Sequence, residues 1–180
     1  MQRYFIGQVS RYASYHRDGR NKATHIIGVP AIAVSLLLPP ALVTFVTAGW
    51  YDISLATILA AAVWLFWIAL DRPFGIVTSL VFVPALPFAD WLATQGAAAV
   101  GIGFAILFVG GWTLQLLGHA FEGRKPALLD NVMQVFIAPM FLVAEIAFAL
   151  GLRKSLAAEV EARWRNYLPD GEHGDAAQPA

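Results

Sequence analysis

The chain has 180 residues, 58% of them hydrophobic and 13% charged, with zero formal net charge and a mean hydropathy of +0.62. That length holds one domain, the shortage of charge marks it as lipid-embedded, and the lack of any basic block argues against a nucleic-acid partner. With no cysteine, disulfides, iron–sulfur clusters, thiolate-bound zinc and a cysteine nucleophile are excluded, so any metal must be held by nitrogen and oxygen.

Residues 1–17 interleave Tyr4, Phe5, Val9, Tyr12 and Tyr15 with Arg3, Arg11 and Arg17. This pattern predicts an amphipathic helix at a membrane surface, broken by Asp18, Gly19, Arg20 and Asn21. No apolar core or cleavage site of a signal peptide is present, so the first hydrophobic run acts as an uncleaved anchor. That run extends from Ile26 to Trp50, with Pro39 and Pro40 expected to kink its middle. A second span is expected over 53–70, an irregular third containing Pro84 and Pro87 over 73–89, and a longer fourth over 91–120. In the fourth, Gly96, Gly103 and Gly110 recur every seven residues, with Gly111 and Gly118 alongside, a smooth face for a neighbouring helix.

A fifth apolar segment, 127–152, contains Pro139 and Glu145. Arg3, Arg11, Arg17, Arg20 and Lys22 place the N-terminus in the cytoplasm by the positive-inside rule, and four crossings return the chain there at Arg124 and Lys125. A fifth crossing would export Arg153, Lys154, Arg163 and Arg165, so a re-entrant pair of half-helices bent at Pro139 is expected. An amphipathic surface helix should follow Leu152. The predicted architecture is therefore an all-α membrane bundle of four transmembrane helices and a Pro-broken fifth element, with amphipathic helices at both ends. It forms one membrane-embedded domain over 1–166, with a disordered tail over 167–180. Both termini are expected on the cytoplasmic side, of an inner membrane in a bacterium or of the endoplasmic reticulum in a eukaryote.

Two clusters carry chemistry. One holds His16, Asn21 and His25; the other holds Gln115, His119 and Glu122. The second set is spaced i, i+4, i+7 and projects from one helix face. An even number of crossings between His25 and His119 puts both at the same surface, so three imidazoles and a carboxylate can converge there. Glu145, buried in an apolar run, needs a partner or a proton and can approach from the fifth element. Singly, each histidine reads as an interfacial side chain, or for His119 as a helix-terminal cation. Three of the four grouped at one surface read as a metal site, suited to iron, copper or zinc. His173, in the tail, is given no role.

Other chemistries lack their residues. No phosphate loop precedes a helix, the serines have no nucleophile elbow, and a di-iron site would want Glu-x-x-His pairs on two helices. Outside catalysis, a small transporter or channel would use Glu145 as its ion site, and a scaffold protein would dock a partner on the glycine stripe.

The chain resembles the Mpo-like membrane proteins. The resemblance rests on Tyr15-His16, Asn21, the run His25-Ile26-Ile27-Gly28-Val29-Pro30, and Gln115-Leu116-Leu117-Gly118-His119 followed by Phe121-Glu122 and Pro126-Ala127-Leu128. Phe136, Pro139, Phe141 and Glu145 continue it, so that it spans about 12–150. It implies an iron(II)-dependent dioxygenase that takes a long-chain 2-hydroxy fatty acid and dioxygen to a fatty acid one carbon shorter. On that reading His16, His25 and His119 hold Fe(II), and Glu122 or Glu145 orients a ligand or completes the coordination. Asn21 and Gln115 complete the polar set, and Arg17, Arg20, Arg124 or Lys125 pairs with the substrate carboxylate. The bilayer supplies the acyl chain.

Overall fold

The computed structural model describes residues 1–48, 51–129 and 131–168. Trp50, His173 and the tail from 169 onward lie outside the described residues, while the expected tail's first residue, Tyr167, closes a 3-10 turn.

Helix α1 (Gln2–Ser14) buries Phe5, Ile6, Val9 and Tyr12. That face packs on α8 (Gln134–Ala149), α9 (Lys154–Arg163) and the 3-10 turn Trp164–Tyr167. Its amphipathicity thus closes a core with other helices. The break after it falls at 15–18, slightly earlier than expected. Asp18 caps the next helix by accepting from the Arg20 N–H at 2.8 Å, so α2 (Gly19–Ser35) starts at Gly19 and includes His25.

The first apolar run does not stay helical to Trp50. The ladder of α2 stops at Ser35, and only the four residues of α3 (Leu38–Ala41) follow before an antiparallel hairpin of β1 (Thr44–Ala48) and β2 (Tyr51–Ser54). Pro39 and Pro40 supply no N–H to continue the ladder, and Thr44, Val46, Thr47 and Ile53 favour extended backbone. Ser54 then starts α4 (Leu55–Leu70) through a reciprocal capping box with Thr57.

Helix α5 (Arg72–Phe82) folds back on α4 across Asp71, whose carboxylate accepts from the Phe74 N–H at 3.2 Å. Gly75 makes this close return possible, because a Cβ there would overlap the Trp67 backbone. A short break leads to α6 (Ala85–Thr94), and Gly96, with φ +94°, turns the chain into α7 (Ala97–Glu122).

Three helical stretches are long and apolar enough to cross a membrane: Gly19–Ala41, Arg72–Thr94 and Ala97–Glu122. The sixteen residues of α4 span only about 24 Å at 1.5 Å per residue, against a hydrocarbon core of about 30 Å. The protein is an all-α, integral membrane bundle with one small hairpin.

Two expectations about the later segments are corrected. Helix α8 runs unbroken through Pro139, and the break comes later, where Gly151 and Arg153 adopt positive φ. There Gln134–Ala149 and Lys154–Tyr167 meet at 116°, and only together do they qualify as a further span. Arg153 fixes that elbow by donating to Asp71 at 2.5 Å and lying over the Phe74 ring. The glycine stripe, too, receives a neighbouring helix only in part. Gly111 and Gly118 meet α2, Gly103 meets Leu38 and Leu92, and Gly110 borders open space.

Candidate metal centre

Helices α2 and α7 approach so closely because Gly28 and Gly111 face each other and Gly118 faces Asn21, Thr24 and His25. A side chain at either α7 position would push the helices apart. This crossing brings His25 and His119 together, and the turn after α1 swings His16 over them.

All three histidines are buried, and one ring nitrogen of each lies within 4.8 Å of the others. The His16 and His25 Nε2 atoms are 3.0 Å apart. Ring centroids stand 4.5 Å apart for His16 and His25, 5.0 Å for His16 and His119, and 5.1 Å for His25 and His119. His16 Nδ1 donates to the Tyr12 carbonyl at 2.7 Å, which also accepts from the Tyr15 N–H at 3.1 Å at the end of α1. His25 Nδ1 donates to the Asn21 carbonyl at 2.9 Å. Both bonds leave the proton on Nδ1 and the lone pair on Nε2. His119 Nδ1 is buried with no hydrogen-bond partner. Facing lone pairs fit a cation. Burial, reinforced by the neighbouring His25, holds His16 well below the usual imidazole range and keeps it neutral, the form that ligates. The Tyr12 ring stacks on His16 at 4.0 Å and 7°, setting its plane.

The remaining residues singled out from the sequence fall in several places. Gln115 is buried one turn before His119 and lines the same cavity. Asn21 donates to the Tyr15 carbonyl at 3.1 Å and to Glu122 at 3.0 Å. Glu122 also accepts from the backbone N–H groups of Arg17, at 2.9 Å, and Asp18, at 2.7 Å. Its carboxylate therefore clamps the turn that carries His16. Glu145 pairs with Lys22 on α2.

None of the four cations expected to meet a carboxylate lines the cavity. Arg17 pairs with Glu161 at 3.0 Å and lies over Trp164. Arg20 pairs with Asp18 at 2.7 Å and holds that carboxyl down to about 2. Arg124 donates to the Ser14 carbonyl, and Lys125 follows it beyond α7.

The cavity measures about 390 Å³, within the usual range of ligand pockets. The triad, Tyr12, Gln115 and Gln134 form its polar part; Val29, Ile32, Val63, Trp64, Trp67 and Phe136 represent its apolar walls. Tyr12 and Gln134 were not singled out from the sequence. Tyr12 lies one helical turn before His16, and Gln134 is an isolated amide at the head of an apolar run.

A family model described as 2-hydroxy-palmitic acid dioxygenase Mpo1-like matches residues 3–150. The 2-hydroxy-palmitic acid dioxygenase MPO1 of Saccharomyces cerevisiae is 31% identical over 158 residues, covering 86% of each chain. No solved structure matches the chain.

Proposed function

We propose, from the premise that this chain belongs to the Mpo1-like family, that it is an iron(II)-dependent dioxygenase. It converts a 2-hydroxy fatty acid and dioxygen to the fatty acid one carbon shorter. The observation that carries this reading is the triad of His16, His25 and His119 at the polar part of an apolar cavity.

His16, His25 and His119 would hold the iron through their nitrogen lone pairs. When bound, iron(II) supplies the centre at which dioxygen is activated for carbon–carbon cleavage. The protein's own residues do the rest. Tyr12 and the two carbonyl-bonded Nδ1 atoms orient the imidazoles, while Asn21 and Glu122 hold the α1–α2 turn. The apolar walls receive the acyl chain and exclude water. Arg17, Arg20, Arg124 and Lys125 stand beside this end of the bundle, where their charge favours arrival of an anionic head group. We further assign four crossings, α4 completing the set, with both termini and the triad on the cytoplasmic side. A transport role finds no support, because Glu145, the acid it requires, is paired with Lys22.

Metal analysis of detergent-purified protein tests the assignment. Wild type should carry close to one iron per chain and His119→Ala almost none. Dioxygen uptake should require 2-hydroxypalmitic acid and be absent with palmitic acid. Iron-free wild type prepared in iron-replete reducing buffer, or equal uptake with both acids, would refute it.

A further inference from the structure

Gln134 stands in the first turn of α8, 1% exposed, and lines the cavity that the triad also lines. Its amide orientation is set by a relay of hydrogen bonds. The Met133 backbone N–H donates to Asn131 Oδ1 at 3.0 Å, which leaves Asn131 Nδ2 as a donor. That group donates to Gln8 Oε1 at 3.1 Å, so Gln8 turns its carbonyl oxygen toward both neighbours. Gln134 Nε2 then donates to the same oxygen at 2.5 Å. Reversing any of the three amides would set two donors or two acceptors against each other. The relay starts from a backbone N–H, which cannot reverse. Gln134 Oε1 is thereby left as an acceptor, buried and without a partner.

A buried, oriented acceptor without a partner costs free energy unless a ligand supplies a donor. Resting on the function proposed above, the substrate is a 2-hydroxy acid whose carboxylate is ionised at neutral pH, so its hydroxyl is the one donor it offers. Gln8 and Tyr12 lie one turn apart on one face of α1, and the Tyr12 ring stacks on His16 in the turn beyond it, so Gln134, tethered to Gln8, and His16 both stand along this side of the cavity. We propose that Gln134 Oε1 accepts a hydrogen bond from the substrate's 2-hydroxyl and so selects hydroxylated acids over plain fatty acids. A plain acid offers this oxygen no donor and forgoes the bond, a discrimination that a site made to bond a hydroxyl provides and a purely apolar one does not. Gln134 is a substrate-recognition residue in this scheme, and the Asn131–Gln8 relay positions it.

The test measures binding without turnover. Iron-loaded, full-length protein in detergent, kept anaerobic, is titrated with 2-hydroxypalmitic acid and with palmitic acid by displacement of a fluorescent fatty acid. Wild type should favour the hydroxy acid. In Gln134→Met, which keeps volume but removes the acceptor, that preference should shrink about tenfold, through weaker hydroxy-acid binding with palmitic acid unchanged. Gln8→Met, which frees the Gln134 amide to turn, should shrink it by a smaller factor. Both are ratios taken within one preparation, so partial misfolding does not mimic the effect. Full retention of the preference in whichever variant purifies folded, or equal weakening for both acids, overturns the role of Gln134 alone. A wild type that does not distinguish the two acids overturns the substrate assignment and this inference with it.

Discussion

Two imidazoles whose Nε2 atoms lie 3.0 Å apart, each with Nδ1 committed to a carbonyl, repel unless one cation takes up both lone pairs. The carbonyls come from residues four positions earlier, so each ligand is oriented by its own stretch of chain. Glu122 adds the constraint from a distance. Removing it leaves the Arg17 and Asp18 N–H groups without their acceptor and takes one of two from the Asn21 amide. Glu122→Ala should therefore destabilise the protein by about 1–3 kcal/mol and weaken iron binding by about 10- to 100-fold, read by thermal melting and iron titration. Acidity acts on the same residues. Below about pH 6.5 the unfolded chain takes up a proton at His16 that the folded, metal-free protein resists. Stability is then full above that pH and declines as pH falls. The melting temperature of chelator-treated protein should drop between about pH 7 and 5, and His16→Asn should flatten that slope.

Among the elements, the crossing of α2 and α7 decides whether a site exists. Gly118 has Thr24, Asn21 and His25 where a side chain would go, whereas Gly110, on the same helix, faces open space. Gly118→Ala should separate the helices and empty the site of iron. Gly110→Ala should keep iron and gain about 0.5–1 kcal/mol from helix propensity. Equal iron content in the two variants would show that the crossing does not control the site. The elbows matter in the same way. Arg153, in the left-handed region, reaches Asp71 between α4 and α5 and so ties the turn after α8 to another hairpin.

At the level of the whole molecule, the triad draws one histidine each from the turn after α1, from α2 and from α7, so bundle topology and metal binding cannot be separated. Orientation in the bilayer is open to direct measurement, because the chain has no cysteine of its own. Single cysteines at Arg3 or Arg165 should react with a membrane-impermeant maleimide from the cytoplasmic face. One at Phe45 in the β1–β2 hairpin should react only from the opposite face. Labelling of all three from one side would refute the assigned topology.

The apolar runs, the basic N-terminus and the Gln115–His119–Glu122 spacing were legible in order along the chain, because membrane helices are written in local composition and local period. Convergence of His16, His25 and His119 also followed, since span parity carries a residue's surface with it. Three features were not legible. Prolines 39 and 40 ended a span that hydropathy alone would continue, because hydropathy does not register a missing N–H. Pro139 sat inside an intact helix, where the sequence suggested a break. Glu122, Arg17 and Arg124 took their roles from partners 101 to 144 residues away, and Gln134 from one amide relay. The chain alone determined that it is membrane-embedded and which nitrogens were available to a metal. Only the tertiary packing decided which polar groups face the cavity and which brace it, because hydrogen-bond pairing between distant segments depends on directions that no linear pattern records.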